Sequence, residues 1–362
     1  MGECCAGLSG RQFELTGTRW SPRTSTRAGV AKIGISGVRL KTSPAVSVAL
    51  CTWNGERYLN EQLESISRQT LLPTELVVCD DGSRDATIEI LNGFARCASF
   101  PVRIFRNLEN LGSTRNFEQA IRLCQGELIA LCDQDDWWAP TKLEVLGNHL
   151  AASGAGAIFS DGLLMDEGSR PTGSTLWQAN RFDCRAGGFL EDSGREAGIA
   201  ELLKRNVVTG ATFMFRSELR DLLLPVPAEW VHDGWLAWMV VLHSKLLAHP
   251  EELIRYRVHT SQQVGMPPRS LRAKFKRARC GDEVAYRSLE KELSVLLHYA
   301  ENHPEVCSAN LCRSLDEKRR FAAFRSDLKS SRWLRWKAIG ARRSAYHVYA
   351  QGWGSMLKDA LR

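Results

Sequence analysis

The chain has 362 residues, 44% of them hydrophobic and 25% charged, values of a globular protein with one large or two ordinary domains. Its formal charge of +7 is unevenly spread: about +5 over residues 1–42, about −9 over 43–265 and about +11 beyond. The acidic middle argues against nucleic acid as the main partner, because phosphate backbones need a basic footprint, and no apolar run reaches the roughly 18 residues of a spanning helix.

Residues 1–43 are rich in Gly, Ser, Thr and Arg and lack the apolar core of a secretory signal. They read as a disordered leader or a misassigned start, with a transit-like leader as the alternative. Eleven cysteines are scattered without a CxxC or a paired zinc spacing. Cys51, Cys79 and Cys132 fall in or beside apolar runs, which suits free buried thiols in a reducing cytoplasm.

Pro44–Cys51 is a short apolar run of strand type, followed by the turn chemistry of Thr52-Trp53-Asn54-Gly55. Leu59, Leu63 and Ile66 then recur at helical spacing. Glu75–Cys79 is a second strand ending at Asp80-Asp81-Gly82-Ser83, and a helix carrying Ile88, Leu91 and Phe94 follows. Val102–Phe105 is a third strand, Asn116–Cys124 a helix, and Glu127–Cys132 a fourth strand. This β-α-β rhythm predicts an α/β fold with a parallel sheet covered by helices on both faces.

Further along, Ala157–Asp161 is a strand, and residues 166–197 read as a variable loop near an acceptor. Val207–Phe215 is a strand broken at Thr209-Gly210, Val231–Leu242 opens and forms a helix, and Glu252–His259 is a last strand. From about Pro267 the chain is helical and basic.

The cluster Asp133-Gln134-Asp135-Asp136 follows the fourth strand. Three carboxylates in four residues repel one another, and a hard divalent cation shared with a diphosphate would relieve this; a merely acidic surface loop is the alternative. In doubly wound sheets ligands bind beyond the carboxyl ends of the strands. Thr52-Trp53-Asn54, Asp80-Asp81 and the acid cluster all sit at such ends.

Val46–Leu59 (VSVALCTWNGERYL), Glu75–Asp85 (ELVVCDDGSRD), Asn107–Asn116 (NLENLGSTRN) and Leu128–Trp138 (LIALCDQDDWW) resemble the inverting glycosyltransferases of family 2. The DQDDxW form, a later HDxW and YRxH are similar to its bacterial rhamnosyltransferase-like branch, which builds surface polysaccharides. The likeness covers roughly residues 44–265, with 1–43 as leader and 266–362 as a basic helical C-terminal extension. It implies a GT-A fold (the nucleotide-diphospho-sugar transferase fold), with a mostly parallel sheet flanked by helices. It also implies a nucleotide-sugar donor and Mg²⁺ or Mn²⁺.

Carried onto this chain, the resemblance puts Thr52 and Asn54 in the nucleotide pocket. Asp80 would hydrogen-bond the base and Asp81 would shape the same pocket; a strand-to-helix turn with a capping Ser or Asp is compatible with both. Asn110, Gly112 and Arg115 form the next loop, with Arg115 facing the diphosphate or standing solvated at a helix start; Asn116 is a candidate helix cap. Asp135 is assigned the ribose or a shared contact and Asp136 the metal, with Asp133 exchangeable into either role. Trp137 and Trp138 read as packing residues rather than sugar platforms.

Inverting transfer needs a base to take the acceptor proton, and a carboxylate suits this. Asp233, in Val231-His232-Asp233-Gly234-Trp235, stands where the family carries its base; an N-cap aspartate is the alternative. His232 would be a second polar contact or structural. His259 would complete the metal shell or touch the diphosphate, or be an ordinary strand-end histidine, and Gly210 would let the backbone approach the donor sugar. The chain departs from the branch after His259, carrying Gln262-Gln263 where an Asn is usual.

Arg and Lys interleaved with Trp333, Trp336, Tyr346, Tyr349 and Trp353 in the tail suit either peripheral membrane association or an ordinary packed extension. The implied function is transfer of a sugar, with deoxythymidine-diphosphate rhamnose as one donor, to a saccharide or lipid-linked acceptor at the cytoplasmic face of a membrane. A nucleotidyltransferase would carry a Gly-rich basic phosphate loop after the first strand, and Thr52–Arg57 is not one. A degenerate carbohydrate-binding module would have lost Asp233 or the acid cluster, and both are present.

Overall fold

The computed structural model describes residues 12–14, 43–184, 195–259, 282–328, 332–350 and 352–361. Most of the leader and Gln262-Gln263 lie outside the described residues. In chain order the elements begin with β1 (Gln12–Glu14), β2 (Val46–Thr52), α1 (Leu59–Ser67), β3 (Glu75–Asp80), α2 (Thr87–Cys97) and β4 (Val102–Arg106). Next come α3 (Ser113–Leu123), β5 (Leu128–Cys132), β6 (Trp137–Trp138), α4 (Lys142–Ser153), β7 (Ala157–Met165), β8 (Pro171–Thr175) and α5 (Leu176–Asn180). After these stand α6 (Arg195–Lys204), β9 (Phe213–Arg216), α7 (Arg220–Leu223), α8 (His232–His243) and β10 (Leu246–Arg257). The last helices are α9 (Asp282–Asn302), α10 (Ala309–Ser326), α11 (Arg332–Ala341), α12 (Arg343–Tyr349) and α13 (Trp353–Leu361). They fall in two compact units, Met1–Ile158 with Ala211–Arg220, and Phe159–Gly210 with Asp221–Arg362.

In the first unit the strand order is β1-β4-β3-β2-β5-β9. The first five run parallel and β9 is antiparallel to β5. Every residue of β2, β3 and β5 is buried, which is why these strands read as continuous apolar runs rather than alternating ones. Leu59, Leu63 and Ile66 of α1 and Phe117, Ala120 and Ile121 of α3 are buried at helical spacing. At the amino ends of the strands the buried Glu75 accepts from Ser47 Oγ at 2.7 Å, Arg103 Nη1 at 2.7 Å and Gln125 N at 2.5 Å. Polar groups at that edge are therefore spent on structure.

In the second unit β8 turns back antiparallel on β7. Thr175 and Gln178 form a reciprocal capping box that starts α5, and Phe159, Trp177 and Phe182 form one aromatic cluster. The stretch 166–197, read as a loop, thus contains a strand and helices; residues 185–194 lie outside the described residues. α8 is buried at every position from Gly234 to Leu242. Part of its cover is α9: Trp230 Nε1 donates to Glu292 O at 3.0 Å, and Trp235 meets Tyr299 edge-on. α11–α13 close a small core with α10, made of Phe321, Ile339, Tyr346, Tyr349 and Met356. Arg325 grips Asp359 through two bonds of 2.6 and 2.9 Å, and Tyr346 Oη donates to the same carboxylate at 2.6 Å.

Candidate active site

The carboxyl ends of the parallel strands are in register. Thr52 stands beside Asp80, and Asp80 beside Arg106. Leu50 pairs with Cys132, so the acidic segment begins level with the end of β2. Thr52 Oγ1 donates to Asp80 Oδ1 at 2.9 Å, Ser83 Oγ to the same oxygen at 2.5 Å, and Ser83 N to Asp80 Oδ2 at 2.9 Å. Arg106 Nε lies 3.8 Å from Oδ2. The fully buried Asp80 therefore closes the turn after β3; it does not cap α2, whose N-cap is Ala86 and which has no side-chain cap bond.

Asp81 organises the neighbouring loop. Its Oδ1 accepts from Asn107 Nδ2 and Leu111 N, each at 2.8 Å, and its Oδ2 from Gly112 N at 2.9 Å. Gly112 precedes α3 with φ +81, a left-handed conformation suited to glycine. Asn54 has φ 48, donates its N–H to Ser83 Oγ at 2.8 Å and accepts Arg84 N on Oδ1 at 2.9 Å. Arg115 is paired with Glu118 of its own helix at 2.5 Å. Asn116 is not a cap: it lies inside α3, and its Nδ2 donates to Cys79 O at 2.7 Å, tying α3 to the end of β3.

Replacing Asp81 by Ala would take the carboxylate acceptor from the buried Asn107 amide and from two backbone amides of the otherwise largely exposed 108–112 loop. The expected loss is about 3 kcal/mol of stability, read as a drop in the urea midpoint, with Asp81→Asn losing less. Equal midpoints for Asp81→Ala and the parent would refute this role.

In the acid segment, Asp133, Gln134 and Asp135 are half-buried and Asp136 is fully buried. Gln134 clamps the first loop with both ends of its amide, accepting from Trp53 N at 2.8 Å and donating to Trp53 O at 3.0 Å. Behind the acids lies Lys142, fully buried. Its Nζ donates to Ala211 O at 2.6 Å and stands 3.5 Å from the centre of the Trp138 ring. Burial pushes this ammonium down to about 7, against the opposing pull of Cys132, Asp136 and Asp133.

The accessible donors here are hard carboxylate oxygens. That set fits Mg²⁺ or Mn²⁺ held by one or two carboxylates and completed by substrate phosphates. Among the described residues no group of three His, Cys, Asp or Glu side chains is disposed to hold an ion by itself. Asp135 and Asp133 are more accessible than the fully buried Asp136, and the Lys142 ammonium feels both Asp136 and Asp133.

In the second unit, Asp233 lies in the first turn of α8, whose N-cap is Val231; the aspartate is not the cap. Its Oδ1 accepts from Gly234 N at 2.6 Å and Asn206 Nδ2 at 3.3 Å. Burial is the main cause that lifts this carboxyl to about 6, opposed by the bonds from Gly234, Gly210 and Asn206, with Glu292 adding a smaller upward push. The buried His232 is pushed down to about 4 and is neutral. A Cβ on Gly210 would stand 2.9 Å from His232 Nε2 and 3.7 Å from Asp233 Cβ, so the close approach of this backbone to the pair needs glycine. His259 follows β10 and is half-buried.

Gln134, Lys142, Asn107 and Asn206 escaped the sequence reading. Only Gln134 carried a signal, as the neutral member of an otherwise acidic quartet.

Residues 47–218 match the family model described as Glycosyl transferase family 2. The chain is 27% identical over 232 residues to EpsH of Bacillus subtilis (strain 168), named as a glycosyltransferase. That match covers 61% of this chain and 63% of EpsH, so the chain spans less than two thirds of this relative's length. The structure of S. aureus TarS 1-349 in complex with UDP-GlcNAc superposes with a TM-score of 0.55 at 15% identity, over 83% of this chain and 81% of that one. The mannosyltransferase PcManGT from Pyrobaculum calidifontis, in complex with GDP-Man and Mn²⁺, gives 0.50 at 18% identity, over 88% and 86%. Register, loop chemistry and these likenesses agree on a GT-A-like fold, in which residues 47–218 match the glycosyl transferase family 2 model.

Proposed function

We propose that the protein is an inverting glycosyltransferase. It moves a sugar from a nucleoside-diphosphate donor, with deoxythymidine-diphosphate rhamnose as one candidate, to a saccharide or lipid-linked acceptor of a cell-surface polysaccharide. The observation that carries this reading is the in-register row of Thr52, Asp80 and Arg106 beside the half-buried carboxylates Asp133 and Asp135. The loops after β2 and β3 form the nucleoside floor, laced together by Thr52–Asp80 and Asn54–Ser83. The 107–112 loop, held by Asp81, and Gly112 line the diphosphate side.

Asp135, assisted by Asp133, would hold the divalent ion, which would offset charge on the leaving diphosphate. Asp233 accepts the acceptor's hydroxyl proton as that oxygen attacks the anomeric carbon. A carboxyl near 6 is deprotonated at neutral pH and still basic enough for this step. His259 contributes to the diphosphate or metal surroundings, and Gly210 admits the donor sugar. EpsH, named as a glycosyltransferase, and the mannosyltransferase PcManGT support the transferase class, and the complexes of TarS with UDP-GlcNAc and of PcManGT with GDP-Man support a nucleotide-sugar. The enzyme works at the cytoplasmic face of a membrane, without a spanning helix among the described residues.

A thermal-shift panel of nucleoside diphosphates and sugar nucleotides, with and without Mn²⁺, tests this. A ligand at roughly 100 times its Kd stabilises the fold by about 2.7 kcal/mol, so one base family should raise Tm by several degrees, more with Mn²⁺. A panel in which no nucleotide moves Tm would remove the reading.

A further inference from the structure

We propose that the faces of α11–α13 turned away from their core form a docking surface for an anionic lipid bilayer. Six large apolar side chains are exposed between residues 333 and 357: Trp333, Leu334, Trp336, Val348, Trp353 and Leu357. Few others among the described residues are so exposed, and none of those lies in so short a stretch. Single exposed apolar residues need no explanation, but a concentration of them does.

The concentration is not a failure of packing. α11 buries Arg335 and Ile339, four residues apart, on one side. Trp333, Trp336 and Lys337 lie on the opposite arc, with Trp333 69% and Trp336 45% exposed. The inner side already has its partners in Phe321, Tyr346, Tyr349 and Met356. The outer side is therefore a second, separate surface.

Its charge names the occupant. The only acidic side chain between residues 332 and 361 is Asp359, and it is fully buried against Arg325 and Tyr346. What faces outward is cationic: Lys337, Arg342 and Arg343 are all exposed. Two of them sit over tryptophans, Lys337 at 5.5 Å from the Trp333 ring centre and Arg343 at 4.7 Å from that of Trp353. Tryptophan beside a cation is the composition that settles at the headgroup level of an anionic leaflet. A second copy of the chain would bring the same cations face to face.

The proposal deepens the membrane-facing part of the proposed function, yet vesicle binding requires no turnover, so the two fail separately. The full chain should co-sediment with phosphatidylcholine vesicles containing phosphatidylglycerol and not with pure phosphatidylcholine, and salt should weaken binding. Lys337→Ala and Arg343→Ala should each cost roughly fivefold in partition. Trp333→Ala with Trp336→Ala should abolish binding while Tm and nucleotide-induced Tm shifts stay as in the parent. Equal binding to neutral vesicles, no binding at all, or a dimer that these tryptophan substitutions dissociate would overturn it.

Discussion

Asp233→Asn should leave nucleotide binding unchanged and lower kcat by about 10² to 10⁴-fold. The parent's kcat/KM should rise with pH through about 6, where the recessed Asp233 carboxyl loses its proton, and the residual activity of the variant should lack that limb. Stability moves the other way. A carboxyl raised from 3.8 to about 6 in the folded chain favours folding while it is protonated. That contribution is complete below the unfolded value and is lost as pH rises through 6. At pH 8 the Asn variant should therefore melt no lower than the parent. Turnover within twofold of the parent would remove Asp233 from the chemistry. Lost turnover with lost nucleotide binding would make it a folding residue.

The central strands of the first unit were legible because they are buried on both faces. Val46–Thr52, Glu75–Asp80 and Leu128–Cys132 needed only an unbroken apolar run to declare themselves. Where local signals conflicted with tertiary ones, the reading drifted. The last strand reads from the sequence as Glu252–His259, yet β10 begins at Leu246, runs through Pro250 and ends at Arg257. Val207–Thr209 has strand composition but forms no strand, and Gly210–Thr212 is a single 3-10 turn before β9. Thr175 and Gln178 had the spacing of a capping box, hidden in a Gly- and Ser-rich stretch.

The side-chain chemistry was legible as residue types at strand ends and much less as partners. Nothing local distinguishes Lys142 from a solvated lysine at a helix start. Its burial depends on Trp138 and on the Ala211 carbonyl 69 residues away. In the same way the sequence reads Arg115 as a cation facing the diphosphate or standing solvated at a helix start, and its pairing with Glu118 of the same helix is not legible there. Asp81 reads as a pocket-shaping residue, and the three N–H groups that converge on it are not legible from the sequence.

Asp135 and Asp136 should separate cleanly when each is replaced by Asn. Asp135→Asn keeps the parent's Tm, because its side chain is half-exposed, but should lose the Mn²⁺-dependent part of nucleotide binding and about tenfold or more in affinity. Asp136→Asn should do the reverse. Asp136 is fully buried, and its charge is among those that hold the equally buried Lys142 ammonium in place. Lys142 keeps its bond to the Ala211 carbonyl and can shed its proton near neutral pH, so the loss should be smaller than for a directly bonded buried pair, about 1–2 kcal/mol, and Tm should fall by a few degrees. The same logic predicts a rescue. Lys142→Met keeps the stem over Trp138 and removes the stranded charge, so the double variant should melt higher than Asp136→Asn alone. A double-mutant cycle measures the coupling directly. If Asp136→Asn instead abolishes Mn²⁺ binding at an unchanged Tm, the metal belongs to Asp136 and Lys142 is an ordinary buried support.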